Sequence, residues 1–338
     1  MQKYHNYNQK DKWYAVGIMS GTSCDGLDLV LCTFKVTNNK WEFEILDGTT
    51  TDYPDELRAK LVNVTKLSSE ELAELDVSFG TFIGRNIRQF LSDSEFVPDL
   101  IACHGHTVFH QPDKNFTMQI GNGEAIMNEI QLPVINDFRS LDVFLGGQGA
   151  PLVPLGDMEL FGEYDFCLNL GGISNVSFDK NGVRVAYDIS PANLILNHLA
   201  GMADLPYDMD GLLATAGKQS EALFDSLNKC TYYSEEPPKS LGIERIRLEF
   251  FPLLQSALPL KDKIRTCVNH IAYQINKEIL NTIDSENITS PAKVLVTGGG
   301  AKNPALTEAL TRYSQNTVQY LLPEVQIVDY KEALIFGF

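Results

Sequence analysis

Residues 13–46 read WYAVGIMSGTSCDGLDLVLCTFKVTNNKWEFEIL, and residues 164–189 read YDFCLNLGGISNVSFDKNGVRVAYDI. Each stretch holds three runs rich in apolar and β-branched residues, a pattern typical of strands, separated first by a glycine turn and then by an Asn-containing turn. Each therefore predicts a three-stranded antiparallel meander, and helical patterns follow both. Because the order repeats within one chain, we expect two similar α/β domains facing one cleft.

Helix signals follow each meander. The stretch from Pro54 to about Thr65 has a helical pattern, and Ser-Ser-Glu-Glu at Ser68 predicts a capping box for a second helix. After the second meander, Ser190 is the predicted N-cap and Pro191 the predicted first helical residue.

The C-terminal part repeats the pairing of strand and helix. A long amphipathic helix is predicted from about Lys261 to Ile283. Residues 293–310, KVLVTGGGAKNPALTEAL, then predict a strand, a triple-glycine turn and a helix.

Composition narrows the class of protein. A chain of 338 residues exceeds what one hydrophobic core usually serves, so two domains are expected. The net charge of −17, with no run of Lys or Arg, disfavours nucleic acid and anionic membranes as partners. The six cysteines are scattered without CxxC pairs, and the N-terminus is polar. We therefore expect a cytoplasmic protein with free thiols.

Three glycine turns follow predicted strands: residues 20–26 (SGTSCDG), 169–175 (NLGGISN) and 297–300 (TGGG). Glycine lets backbone N–H groups approach a phosphate closely, and Ser and Thr hydroxyls add uncharged donors. Any one of these turns is typical of an ordinary hairpin or strand-to-helix connection. Three in this order, two of them in duplicated meanders, favour a nucleotide site that includes Gly171, Gly172, Gly298 and Gly299.

Other nucleotide and hydrolase motifs fit poorly. The sequence has no GxxxxGK[ST], and the first glycine turn leads into a strand where a dinucleotide-binding fold needs a helix. Residues 21–25, GTSCD, lack the second glycine of a serine-hydrolase nucleophile elbow.

Three histidines lie close together in CHGHTVFHQP: His104, His106 and His110. Their spacing matches no common zinc site, and the next segment supplies no obvious shell of Asp, Glu or Cys ligands. The sequence favours a buried strand that ends in a polar loop, whose histidines either form local hydrogen bonds or line a sugar site.

Asp137, Arg139 and Asp142 precede a glycine-rich run that ends in proline. They could form a salt bridge at a hinge. Alternatively, they form one wall of an active site, in which Arg139 offers a fork to an anionic group.

Asp188 ends the second meander just before a predicted helix. Its carboxylate could cap that helix. Because Ser190 is already the predicted cap, Asp188 remains available for acid–base chemistry.

The chain resembles the anhydro-N-acetylmuramic acid kinase family over nearly its whole length. The motifs that carry the resemblance occur in the family's order: GIMSGTSCDGLD, CHGHTVFHQP, QIGNGEAI, DFRSLDVFLGGQGAPLVP, NLGGISNVS, YDISPANLILN, DMDGLLATAGK, PPKSLGIE and VTGGGAKNPAL. The resemblance implies two ribonuclease H-like domains of the actin and hexokinase superfamily with a central cleft, residues 1–137 and 138–338, with a last helix that could return toward the first domain.

The resemblance also implies a reaction: ATP-dependent opening of the 1,6-anhydro ring of the sugar with phosphorylation of O6. Asp188 takes the family's place for the base that accepts a proton from the attacking water. Asp25 would hold Mg²⁺ through water. Ser20, Arg139, Asn193 and Glu332 would bind the sugar. The ATP phosphate loop would be formed by Gly21, Thr22, Ser23, Cys24, Asp25, Gly26, Leu27 and Asp28.

Some residues depart from the family's pattern. Residues 189–193 read ISPAN where the family commonly has Cys-Gly-Pro-Gly-Asn, and Ile243 stands where an arginine often occurs. The chain also ends at Phe338, within the implied last helix. Two alternatives therefore stay open: a sugar kinase that phosphorylates a free hydroxyl, or a sugar- and nucleotide-binding protein without turnover owing to its short C-terminus. A homodimer is implied by the resemblance alone.

Overall fold

The computed structural model describes residues 10–21, Cys24 and residues 26–338. The chain forms two compact units. The first comprises the described residues up to Leu160 together with Tyr330–Phe338, and the second comprises Phe161–Asp329. The boundary suggested by sequence, between residues 137 and 138, lies within the first unit. As a functional boundary, it stays a prediction.

The first unit is built on a five-stranded sheet. The strands of the unit are β1 (Trp13–Ser20), β2 (Leu27–Thr37), β3 (Lys40–Thr51), β4 (Leu100–Cys103), β5 (His106–Gln111), β6 (Phe116–Ile120) and β7 (Val134–Ile135). The strands β5 and β6 form a separate hairpin, and the other five form the sheet. Its helices are α1 (Asp55–Val62), α2 (Ser69–Phe90), α3 (Gly123–Ile130), α4 (Ser140–Phe144) and α5 (Val153–Leu160).

The second unit has a sheet of the same size. Its strands are β8 (Phe166–Leu170), β9 (Ile173–Lys180), β10 (Val183–Pro191), β11 (Ala292–Thr297) and β12 (Val318–Leu321). Its helices are α6 (Asn193–Gly201), α7 (Leu212–Ala216), α8 (Glu221–Asn228), α9 (Ile243–Arg245), α10 (Phe251–Leu254), α11 (Leu260–Glu286), α12 (Pro304–Tyr313) and α13 (Val325–Gly337), whose residues from Tyr330 onward belong to the first unit.

The two sheets share one topology. Their strand orders are β3-β2-β1-β4-β7 and β10-β9-β8-β11-β12. In the first sheet, β1, β2 and β3 pair antiparallel in succession, and β4 and then β7 extend the sheet in parallel beyond β1. In the second sheet, β8, β9 and β10 pair antiparallel in succession, and β11 and then β12 extend the sheet in parallel beyond β8. The predicted duplication of an α/β fold is therefore confirmed, including both meanders.

Each sheet packs against a helix with an apolar stripe. In the first unit, α2 buries Phe79, Ile83 and Ile87, which recur at helical spacing. In the second unit, α11 places Ile264 and Ile271 among the residues of the core. Burying these stripes removes apolar surface from water and so stabilises each unit.

The predicted capping box at the start of α2 is present. Ser68 Oγ accepts the Glu71 N–H at 3.3 Å, and Glu71 Oε2 accepts the Ser68 N–H at 2.7 Å. The reciprocal pair satisfies two backbone donors that a helix start leaves without partners.

The predicted start of α6 is wrong. Ser190 and Pro191 belong to β10, Ala192 is the N-cap, and the helix begins at Asn193. The N–H groups of the N-cap and of the first two helical residues donate to the carbonyls of Gly171 and Gly172 at 2.9–3.1 Å. The N–H groups at the start of the helix are thus satisfied by a tertiary contact with the glycine turn and not by the predicted serine cap.

The end of α13 lies directly on β1. A Cβ added to Gly17 would lie 1.8 Å from the Ala333 carbonyl oxygen, so only glycine permits this approach. Near the same interface, Lys331 and Asp157 form a buried ion pair at 2.9 Å. Within the described parts of the chain, none of the helices is both long and apolar enough for a membrane span.

Candidate active site

The first glycine loop joins β1 to β2. Cys24 donates its N–H to the Gly21 carbonyl at 3.1 Å, and its φ of 52° is left-handed. Leu27 is fully buried, while Asp28 accepts the Thr50 hydroxyl at 2.6 Å. A Cβ on Gly26 would lie 2.5 Å from Thr50 Cγ2, so this position is closely packed. The other predicted residues of this loop, Thr22, Ser23 and Asp25, lie outside the described residues, so their roles stay predictions.

A buried hydrogen-bond chain lies at the end of β1. Tyr53 donates its hydroxyl proton to Ser20 Oγ at 2.8 Å, and Ser20 Oγ lies 3.4 Å from His106 Nδ1. Ser20 is 1% exposed. Burial lowers the pKa of His106, although a hydrogen bond to the Leu61 backbone opposes that shift. The predicted sugar ligand Ser20 is thus held between two protein side chains.

Arg139 contacts a second histidine of the same segment. Its Nε and Nη2 lie 3.2 and 2.9 Å from His104 Nε2, and Nη1 donates to the Gly149 carbonyl at 2.7 Å. Burial lowers the pKa of Arg139, and the charge of Glu332 opposes that shift. The structure therefore places the two predicted sugar residues Arg139 and Glu332 within electrostatic reach of each other.

The two aspartates beside Arg139 brace the backbone. Asp137 Oδ1 accepts the Ser140 N–H at 3.1 Å, and Asp142 Oδ2 accepts the Gly149 N–H at 2.6 Å. Neither aspartate belongs to an ion pair among the described residues. Within the described residues, they bind main-chain N–H groups in place of the salt bridge considered for a hinge.

The three histidines each have local partners of their own. His104 contacts Arg139 and the Gly105 carbonyl, whereas His110 is exposed and contacts Thr117 at 3.2 Å. Within residues 10–21, 24 and 26–338, no group of three or more His, Cys, Asp or Glu side chains could hold a metal ion. Local hydrogen bonding, one of the two expectations for these histidines, is what the structure shows.

The two glycine turns of the second unit pack against each other. Because β8 and β11 are parallel neighbours, with Asn169 opposite Thr297, their carboxyl ends meet at one edge of the sheet. Gly298 has a φ of +82°, and a Cβ there would lie 2.9 Å from the Leu170 carbonyl. Only glycine permits this crossing of the turns.

Packing does not account for the neighbouring glycines in the same way. A Cβ on Gly171 would meet nothing nearer than 3.5 Å, and one on Gly299 nothing nearer than 3.7 Å. Asn193, at the start of α6, donates its side-chain N–H to the Leu170 carbonyl at 3.0 Å. The structure thus brings Asn193 together with both turns, and leaves room over Gly171 and Gly299.

Asp188 lies at a β-bulge in β10. Asp188 pairs with Asn175, whereas Ser190 pairs with Ser174, the adjacent residue of the antiparallel strand β9, so Ile189 is the extra residue. The Asp188 N–H donates to the Lys239 carbonyl at 3.0 Å, and the Asp188 carbonyl accepts the Tyr232 hydroxyl at 2.6 Å. The bulge is therefore fixed through the main chain.

The Asp188 carboxylate faces the same neighbouring segment. Its Oδ2 accepts the Leu241 N–H at 2.8 Å and lies 3.5 Å from Ser240 Oγ. Burial raises the pKa of Asp188, and the hydrogen bonds from Leu241 and Ser240 partly oppose that shift. Asp188 does not cap α6. The contacts with Leu241 and Ser240 are made by Oδ2, and the other carboxylate oxygen, Oδ1, is compatible with a role as a base.

Sequence reasoning missed the residues that hold the predicted ones. Tyr53 orders Ser20, and the segment from Tyr232 to Leu241 holds Asp188. The motif PPKSLGIE marked that segment, but nothing in it signalled which backbone group would contact a carboxylate. The donor is the main-chain N–H of Leu241. Every residue except proline has such a group, so the residue type does not reveal this contact.

Comparison with known proteins gives a consistent result. The model of the family described as Anhydro-N-acetylmuramic acid kinase matches residues 13–338. A protein of that name from Mannheimia succiniciproducens is 34% identical, over 97% of this chain and 91% of the relative. Another of that name from Vibrio cholerae serotype O1 is 34% identical, over 96% and 90%.

A more distant likeness exists among solved structures. Component A of (R)-2-hydroxyglutaryl-CoA dehydratase from Acidaminococcus fermentans is 14% identical and superposes with a TM-score of 0.47, covering 96% of each chain. Nothing about the function of this chain follows from so weak a likeness.

Proposed function

The chain belongs to the anhydro-N-acetylmuramic acid kinase family, and on that premise we propose that it acts as an ATP-dependent kinase of 1,6-anhydro-N-acetylmuramic acid. The proposed reaction hydrolyses the 1,6-anhydro ring and phosphorylates O6. Its products are N-acetylmuramic acid 6-phosphate and ADP, which fits a step in the recycling of cell-wall sugars.

The observation that carries the proposal is the Asp188 carboxylate, fixed at a bulge and with a raised pKa. The anhydro sugar has no free O6 hydroxyl, so a base has no acceptor proton to remove before the ring opens. Asp188 instead accepts a proton from water as the water oxygen bonds to the anomeric carbon. The bond from that carbon to O6 breaks, O6 bonds to the γ-phosphorus, and ADP leaves.

The glycine turns support a nucleotide. Gly171 and Gly299 have room for a Cβ within the protein, so the absence of a side chain there suits a phosphate-bearing ligand. We assign both glycines to ATP, and the family resemblance gives the ATP phosphates also to the loop of residues 21–28. Mg²⁺, held through water at Asp25, would offset charge on those phosphates when bound.

The charged residues of the first unit support an acidic sugar. N-acetylmuramic acid carries a lactyl carboxylate, and Arg139 is a partly buried cation. A guanidinium binds a carboxylate with two parallel hydrogen bonds. We assign Arg139 to that group, and Glu332, Ser20 and Asn193 to the sugar hydroxyl and amide groups.

One coupled assay tests the proposal. Purified protein with MgATP should release ADP when given 1,6-anhydro-N-acetylmuramic acid, and not when given free N-acetylmuramic acid. Release with the free sugar alone would favour an ordinary hydroxyl kinase. Tight binding of the anhydro sugar without ADP release would favour a protein without turnover.

We further propose a cytoplasmic homodimer. All six cysteines are buried and none is joined in a disulfide, as expected in a reducing compartment. Light scattering at micromolar concentration should give twice the chain mass of 37.6 kDa. A mass of one chain would refute the dimer.

A further inference from the structure

We propose that His104 is a positioning residue, which holds the Arg139 guanidinium in the orientation that receives the carboxylate of an acidic sugar. The inference rests on the proposed function, since it concerns the same substrate. It concerns a residue that would act through Arg139 rather than touch the reacting atoms.

The hydrogen bonds of His104 define its tautomer. His104 Nδ1 lies 2.9 Å from the Gly105 carbonyl oxygen, which can only accept, so Nδ1 carries the proton. Nε2 therefore presents a lone pair. That lone pair accepts from Arg139 Nε and Nη2 at 3.2 and 2.9 Å.

The ring itself is firmly held. His104 is 4% exposed, and its centroid lies 4.6 Å from that of Phe336. The main-chain N–H of His104 donates to the Ile18 carbonyl at 3.1 Å. The next residue, Gly105, has a φ of +72° and packs against the Ile120 carbonyl, where a Cβ would lie 2.5 Å away. His104 is thus a rigid acceptor for a long and otherwise flexible side chain.

The donors of Arg139 can be counted. A guanidinium has five N–H groups. Among the described residues, two donate to His104 and one to the Gly149 carbonyl, and one N–H on Nη1 and one on Nη2 remain. This is the pair with which an arginine can bind both oxygens of a carboxylate.

The charge state of His104 preserves the charge of Arg139. Burial, and then the charge of Arg139, lower the pKa of His104 to about 4, with a smaller effect from His106. The imidazole is therefore neutral at pH 7 and does not cancel the guanidinium charge as a carboxylate partner would. Among the described residues, the charge of Glu332 acts on Arg139 and favours the charged form of the guanidinium.

The test compares His104→Leu with His104→Gln, whose side-chain oxygen can accept near the position of Nε2. Calorimetry gives the Kd of 1,6-anhydro-N-acetylmuramic acid and of MgATP, and steady-state kinetics give kcat and KM. The Leu variant should weaken sugar binding by about 10- to 100-fold, the loss expected for a charge-assisted hydrogen bond, with MgATP affinity unchanged. The Gln variant should recover most of that loss. His110→Leu, from the same segment, should bind the sugar like the wild type.

Sugar binding by the Leu variant within threefold of the wild type would overturn the inference, as would an equal loss of MgATP affinity. A readout on the wild-type protein needs no variant: ¹⁵N shifts of His104 should report a neutral imidazole protonated at Nδ1 from pH 5 to 8. Titration near pH 6.5 would contradict it. If the wild type binds the acidic sugar without turning it over, the proposed function fails while these affinities still decide the role of His104.

Discussion

Replacement of Asp188 by Asn tests the assignment of the catalytic base. The change keeps the shape of the side chain, and the amide oxygen can still accept the Leu241 N–H that lies 2.8 Å from Oδ2. The main-chain bonds to Lys239 and Tyr232 are unaffected, so the bulge should persist. What the variant lacks is an oxygen that can take a proton from water.

The expected loss of turnover is about 10²- to 10⁴-fold, the usual contribution of a positioned general base. That range corresponds to about 2.7–5.5 kcal/mol of transition-state stabilisation. Because burial raises the pKa of Asp188, the acid limb of kcat in the wild type should lie above the ordinary range of an aspartate. The limb should vanish in the variant.

The Asp188→Asn change, which lowers turnover, should leave the thermal stability at pH 7 unchanged or raise it. A carboxyl group whose pKa is raised by folding stabilises the protein below its unfolded pKa, and this stabilisation is lost as pH rises through the folded pKa. At pH 7 the ionised Asp188 is therefore unfavourable to folding, and the Asn variant should melt at the same temperature or higher. Near pH 4 this advantage should disappear.

The assay is ADP release with both substrates, beside a thermal melt at pH 7 and at pH 4. Asp179→Asn is the matched control, since Asp179 lies on the neighbouring strand β9 with an exposed side chain. In ¹⁸O-water the wild type should place label on the anomeric oxygen and none in the new phosphate ester. Label in the phosphate, or an Asn variant that turns over within fivefold of the wild type, would refute the reasoning.

Three further outcomes are expected. Saturating MgATP should raise the melting temperature, by an amount equivalent to about 2.7 kcal/mol at 100 times Kd, and an unchanged melt would contradict a nucleotide site. Gly182→Ala changes a residue with a φ of +77° and open space around it. This variant should lower the free energy of unfolding, measured in urea, by about 1–2 kcal/mol. Gly298→Ala, with a similar φ of +82° but a crowded Cβ, should lose about 1–3 kcal/mol more, and equal losses would refute the packing argument. Lys331→Met removes one charge of the buried pair with Asp157 and should lower the free energy of unfolding by about 3–5 kcal/mol. Lys60→Met removes one charge of an exposed pair and should lower it by less than about 1 kcal/mol. Similar urea midpoints for the two variants would refute this distinction.

The sequence alone determined the elements and their repetition. Strands and the long helix α11 follow from hydrophobic periodicity, and the capping box at Ser68 follows from residues three positions apart. These signals are local, so they can be read without knowing the fold. The duplication was visible for the same reason, and the family was visible because its motifs are long and occur in order.

Only the tertiary structure decided how the candidate site is held together. The start of α6 was mispredicted because its N–H groups bond to the glycine turn some 20 residues earlier, a contact that no local pattern encodes. The same holds for Arg139 and His104, 35 positions apart, and for Asp188 and Leu241, 53 positions apart. The sequence supplies donors and acceptors by type, but the choice among them depends on which strand ends the sheet brings to one edge.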